Sequence, residues 1–170
     1  MTITLEEAKA RYPGAETFTF GDNRALCDRL LSLVRHGRKQ ATCGALRDFG
    51  PGKEAMPVIG RRDIALDWDG APALVIESTE ITLRRFCEVE ADFALAEGED
   101  ETLEGWQAGH RAYFERNGGW QSDLELVCER FRMIEDFDSS RGSLDGAIHV
   151  EPNETPRPPL ADLPRPSPIS

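Results

Sequence analysis

The stretch Gly37-Arg38-Lys39-Gln40-Ala41-Thr42-Cys43-Gly44 joins a lysine and a threonine three residues apart. A threonine hydroxyl is a weak nucleophile until a neighbouring group takes its proton. A lysine amine can do so when burial or a nearby cation keeps it neutral. Arg38, next in sequence, would favour the neutral amine if the two side chains lie close together. Such a pair suits acyl transfer. On a straight strand, residues i and i+3 face opposite ways. Convergence therefore needs Lys39 on the turn and Thr42 inside the strand. The alternative is a surface lysine followed by an ordinary strand threonine.

A second stretch runs from Phe93 to Trp106, FALAEGEDETLEGW. Glu97 closes a helical pattern beside Gly98, where it could serve as a general acid or base or an orienting carboxylate. Glu99, Asp100 and Glu101 follow, a grouping that could hold Mg²⁺ or Mn²⁺. Helix capping explains Asp100, Glu101 and Glu104 more simply, because acidic residues favour a first helical turn. Trp106, His110 and Phe114 recur every four residues and share one helix face, which reads mainly as core. The three histidines are too scattered for a metal site, and the four cysteines contain no C-x-x-C pair. No metal is expected from them.

Other elements must position these groups. Thr4 to Arg11 reads as a short helix with a capping box between Thr4 and Glu7. A strand is expected at Thr17–Phe20 and a helix over 23–36, with Leu26, Leu30, Leu33 and Val34 as its buried stripe. Gly37 suits the helix end. Strands follow at 40–46, 63–68 and 73–83, the last two joined at Asp69-Gly70. A bulge is expected near Ser78. Helices are expected over 84–96 and 102–117, then a strand over 124–137. The order α-β-α-β-β-β-α-α-β predicts an α+β domain of mostly antiparallel strands with helices covering its ends.

The chain has 170 residues and 39% apolar composition, enough for one core. Residues 1–137 are expected to form that domain. Residues 151–170 hold seven of the eleven prolines. The segment 138–170 is expected to be a disordered, proline-rich tail, either passive or docking a partner. No run is long enough to cross a membrane, and the start of the chain does not look like a signal peptide. A cytoplasmic protein is expected. The net charge is −11, yet residues 35–62 carry seven basic residues against two acidic ones. A local positive surface can attract an anionic substrate. Arg38, Arg61 and Arg62 are the candidate substrate-binding residues.

Taken together, the sequence resembles the ASCH-domain family of the PUA-like superfamily, in its longer subgroup. The resemblance rests on Gly37-x-Lys39-x-x-Thr42, PVIG (57–60), VIESTEI (75–81), FALAEGEDETLEGWQAGHRAYF (93–114) and LVCERF (126–131). It implies a PUA-like, mostly antiparallel β-barrel with surrounding helices. It also implies a nucleoside or RNA fragment as partner. One member removes the acyl group of N4-acetylcytidine with a Lys, a Thr and a Glu, which match Lys39, Thr42 and Glu97. That reading needs no cofactor. Another member is a metal-dependent ribonuclease, and on that alternative Mn or Mg would be required. The sequence departs from the longer subgroup at Arg47-Asp48-Phe49, where an aromatic often comes sooner, and at Arg61, where an acidic residue is common.

Overall fold

The computed structural model describes residues 2–138. The expected proline-rich tail lies outside the described residues. The elements are α1 (Leu5–Arg11), β1 (Thr17–Thr19), α2 (Arg24–Arg35), β2 (Ala41–Ala45), β3 (Arg62–Leu66), β4 (Pro72–Arg85), α3 (Ala91–Ala96), α4 (Leu103–Arg116) and β5 (Glu125–Asp136). Their order is the expected one.

Local chemistry explains most boundaries. Thr4 and Glu7 form the reciprocal capping box of α1. Asn23 caps α2 by accepting from Leu26 N. The α2 stripe Leu26, Leu30, Leu33 and Val34 is buried. Between β3 and β4, the Asp67 side chain accepts from Asp69 N and Ala71 N, both at 2.9 Å. Such an Asx-type turn fixes the hairpin.

One element differs from expectation. No helix spans 84–96. Strand β4 runs on to Arg85, where Arg84 and Arg85 still pair with Leu126 and Glu125. A single 3₁₀ turn, Phe86–Glu88, follows, and α3 begins only at Ala91. Phe86, Val89 and Phe93 have helical spacing because all three point into one core, across a turn rather than along a helix. The expected bulge is present as a register shift between Ser78 and Glu80.

The five strands form one sheet in the order β1-β3-β4-β5-β2. All neighbours are antiparallel except β1 and β3. The first and last strands of this order, β1 and β2, nevertheless border one cavity. The sheet therefore curls until its edges face each other, an incomplete barrel with the cavity at the seam. On one side α2 packs with Phe20, Leu74, Ile76 and Phe131. On the other, α3 and α4 pack with Ala41, Ala45, Leu126 and Cys128. A third cluster joins Ala8 of α1 to Ile64 and Val75. Among the described residues, no helix is long and apolar enough to cross a membrane.

Candidate functional site

Lys39 is placed by backbone contacts at both sides of the turn after α2. Gly37 takes φ +77°, and the amides of Arg38 and Lys39 both donate to Leu33 O, at 2.9 and 3.1 Å. Gln40 N then donates to Ala96 O at 2.8 Å. Gly98, with φ +77°, lies so close that a Cβ there would stand 2.2 Å from Arg38 O. Only glycine accommodates both that backbone and that approach. The two chemistry-bearing stretches are thus clamped together through their backbones.

The clamp delivers Lys39 between two carboxylates. Its side chain is buried, and Nζ donates to Glu97 Oε1 at 3.2 Å and to Glu99 Oε2 at 2.7 Å. Trp106 Nε1 donates to Glu97 Oε2 at 3.2 Å. His110 Nε2 lies 3.4 Å from Glu97 Oε1. The Trp106 ring stacks between Phe86 and His110 at centroid distances of 5.2 and 4.3 Å. The i, i+4 spacing on α4 brings both polar rings to one carboxylate.

The protonation states follow from geometry. Burial opposes charge on Lys39, but Glu99 and Glu97 outweigh it and hold its pKa above the ordinary lysine value. Lys39 is an ammonium, not the neutral amine that its proximity to Arg38 suggested. His110 Nδ1 donates to Trp106 O at 3.0 Å. Its Nε2 then faces Glu97, a contact favourable only as N–H. Burial disfavours the imidazolium, but Glu97 outweighs it and raises the pKa. Burial also penalises both carboxylates. For Glu97 the charges of Lys39 and His110 prevail, and its pKa falls. For Glu99 burial prevails and its pKa rises. Glu97 has His110 beside it as well as Lys39, whereas the charge of Glu97 itself works against ionisation of Glu99, whose Oε1 has no hydrogen-bond partner.

Cys43, Glu97 and His110 place potential donor atoms within 4.8 Å of one another. This set suits a transition ion by ligand type. However, Lys39 Nζ already contacts Glu97 Oε1, and burial pushes the Cys43 thiol well above its usual value. The resident cation of the cluster is the ammonium. The acidic run does not open into an oxygen-lined pocket either, since Glu99 turns inward to Lys39 while Glu101 is exposed.

Thr42 lies on the cavity. Residue alternation along β2 pairs Thr42 with Glu129 and Cys43 with Cys128 on β5. Thr42, Glu129, Phe18, Phe20, Phe49 and Tyr113 all border a cavity of about 140 Å³. Lys39 and Glu97 are not on its lining. Two residues connect them to it. Cys43 borders the cavity with its Sγ within 4.8 Å of a Glu97 carboxylate oxygen, and Lys39 Nζ lies 5.7 Å from the centroid of Phe20. The structure therefore brings Lys39 and Glu97 into direct contact and sets Thr42 on the far side of a wall one side chain thick.

The expected basic residues divide. Arg61 borders the cavity, but its guanidinium is held by Asp63 at 2.8 and 3.0 Å and by Met56 O at 3.0 Å. Arg62 is exposed on β3, and Arg38 is half-buried; neither borders the cavity. Arg47 donates to Asn117 O and Gly119 O, and Lys53 to Arg47 O. Much of the positive segment thus serves the chain's own loops. Sequence reasoning took Glu99 only as part of a possible Mg²⁺ or Mn²⁺ group, missed Glu129 as a site residue and read His110 mainly as packing. The Glu97-Gly98-Glu99 triplet held the signal for Glu99, since a glycine between two acids permits a tight turn. Glu129 had none beyond strand alternation.

The sequence model of the ASCH domain matches residues 16–135. No curated protein matches the chain. Among solved structures, an ASCH domain from Lactobacillus crispatus is 27% identical, with a TM-score of 0.66 over 78% of this chain and 87% of that one. Protein EF3133 from Enterococcus faecalis is 30% identical, with a TM-score of 0.66 over 79% of this chain and 83% of that one. The matched span includes both clamped stretches, the seam cavity and every strand but for the last residue of β5, and the chain belongs to the ASCH-domain family.

Proposed function

We propose that this protein is an amidohydrolase acting on an N4-acylated cytidine or a related modified nucleoside. The observation that carries the reading is the direct contact of Lys39 with Glu97 immediately behind a cavity that Thr42 faces. Lys39 and Glu97 are in direct contact, and Thr42 follows Lys39 by three residues on the cavity side of the Cys43–Phe20 wall.

In the reaction, water adds across the amide. The bond from the acyl carbon to the exocyclic nitrogen breaks, the acyl group leaves as a carboxylic acid carrying the water oxygen, and the nitrogen gains one proton to become the free amine. Thr42 supplies the hydroxyl that attacks the acyl carbon, and water releases the acyl group from it. Lys39, charged in the resting state, is the proton source for the departing nitrogen rather than the initial base, and both it and Glu97 reach the substrate only when the Cys43–Phe20 wall moves aside. Glu97, held ionised, is the matching acceptor. The bound proton on Lys39 is supported by the two carboxylates beside it.

The ribonuclease alternative has less support. A surface tracking phosphates needs free cations, and Arg47, Lys53 and Arg61 are engaged by the chain itself. The test is incubation of purified protein with N4-acetylcytidine and chromatographic detection of cytidine. Cytidine release by wild type, lost in Thr42→Ala, supports the reading. A folded wild-type protein that releases none removes it.

A further inference from the structure

The lining of the seam cavity is more selective than its position suggests. Five carboxyl residues border it, Glu16, Asp48, Glu54, Asp63 and Glu129, against the single guanidinium of Arg61. That guanidinium is already taken by Asp63. A phosphate entering here meets like charge and no free cation. The walls are aromatic: Phe18 and Phe20 meet edge to face at 4.9 Å, and Phe49 closes over Gly44. A Cβ at Gly44 would stand 3.1 Å from the Phe49 ring, so the absent side chain is what lets that ring approach. At about 140 Å³ the space lies well below the roughly 300–1,000 Å³ of drug-sized ligand pockets. It suits one planar ring, with an attached sugar left outside, and the acidic lining is what disfavours a phosphate on that sugar.

Glu129 is the polar group best placed to orient such a ring. It stands directly across the β2–β5 ladder from Thr42, on the same sheet face. Ser78 of β4 donates to its Oε2 at 2.5 Å, which fixes the carboxyl and leaves Oε1 and the second lone pair of Oε2 for a ligand. Burial raises the Glu129 pKa. Asp63 of β3 and Glu54 of the following wall add to the rise, while Ser78 and Arg61 oppose it. Glu16, Cys43, Asp48 and Tyr113 complete the titratable lining. In its protonated form the carboxyl offers an O–H donor beside a C=O acceptor. That pair matches an amidine edge, a ring nitrogen next to an exocyclic N–H.

We propose that the seam cavity takes a phosphate-free aminoheterocycle, and that Glu129 binds its amidine edge through one shared proton opposite Thr42. The proposal deepens the nucleoside reading above by naming the recognition residue and excluding nucleotides. It concerns binding, so its failure is separable from that of hydrolysis. Turnover without discrimination against phosphate would sink this inference alone. Discrimination without turnover would sink the hydrolase reading alone.

The experiment is calorimetric titration of the full chain with cytidine and with cytidine 5′-monophosphate, from pH 5.5 to 8.5. Cytidine is expected to bind at least tenfold tighter than the monophosphate, and its affinity is expected to fall as pH rises and the shared proton is lost. Glu129→Ala is expected to weaken cytidine at least tenfold. Glu129→Gln, whose amide keeps a donor beside an acceptor, is expected to retain binding with a flat pH profile. Equal or tighter binding of the monophosphate overturns the proposal. So does unchanged cytidine affinity in Glu129→Ala, or no cytidine binding by wild type at millimolar concentration. The nucleoside–nucleotide comparison needs no variant, so a misfolded mutant does not remove the test.

Discussion

Lys39 Nζ donates to Glu99 Oε2 at 2.7 Å across 60 residues of sequence, with neither side chain more than 1% exposed. The contact joins the turn after α2 to the turn after α3. Every other feature of the cluster depends on it, because an ammonium there makes two buried carboxylates tolerable.

Lys39→Met should therefore be strongly destabilising. It leaves Glu97 and Glu99 buried without their cation, and losing one partner of a buried ion pair costs about 3–5 kcal/mol. Adding Glu97→Gln and Glu99→Gln to Lys39→Met should recover a large part of that loss, since neutral amides need no counter-charge. Denaturant unfolding of the single and triple variants measures both. A triple variant less stable than the single one would show that the charges are not the reason.

Gly98→Ala should separate the backbone clamp from the charges. The new Cβ meets Arg38 O, and a non-glycine residue at φ +77° costs on the order of 1–3 kcal/mol before any clash. Gly14→Ala, at φ +85° in open space, should show the backbone cost alone. Thermal unfolding should rank Gly98→Ala clearly below Gly14→Ala; equal midpoints would deny the close approach.

His110 links stability to pH. Its folded pKa is raised by Glu97 against the cost of burial. The folded state then binds the proton more tightly than the unfolded state, whose histidine titrates near pH ~6.5. The stabilisation is fully present below that value and is lost as pH rises through the folded pKa. The stability difference between wild type and His110→Gln should therefore be largest near pH 5.5 and shrink toward alkaline pH. A difference that grows with pH would mean that the ring is neutral.

The thiols should react unequally. Cys87 is exposed, Cys27 and Cys128 are buried, and Cys43 is half-buried. Burial raises the pKa of Cys43 and lifts that of Cys128 to about 12, which suppresses the reactive thiolate. An aromatic disulfide reagent should titrate one thiol quickly in the folded protein and all four in denaturant. Fast loss of two or more thiols would place Cys43 in an open, ionised environment.

The sequence announced the fold wherever local signals agreed with tertiary needs. The Thr4 capping box, the α2 stripe, Gly37 and the Asp69-Gly70 hairpin are read from neighbours in sequence and stand in the structure as expected. The expected helix over 84–96 failed because core-facing residues across a turn can imitate helical spacing. The contact between Lys39 and Glu97 was within reach of motif reading. The proton on Lys39 was not, because its charge is held by Glu99, which folds back through Gly98, together with Glu97. The pairing of Thr42 with Glu129 is a matter of strand register, and register between segments 87 residues apart in numbering leaves no local trace.

The central claim is that the Thr42 cavity hydrolyses the amide of an acylated cytidine. The most direct measurement is the time course of cytidine release from N4-acetylcytidine by wild type and Thr42→Ala, with the fold of each confirmed by near-ultraviolet circular dichroism. The account predicts catalytic turnover by wild type and at least a hundredfold loss in Thr42→Ala. Turnover undiminished in Thr42→Ala, or none by the folded wild-type protein, would contradict it.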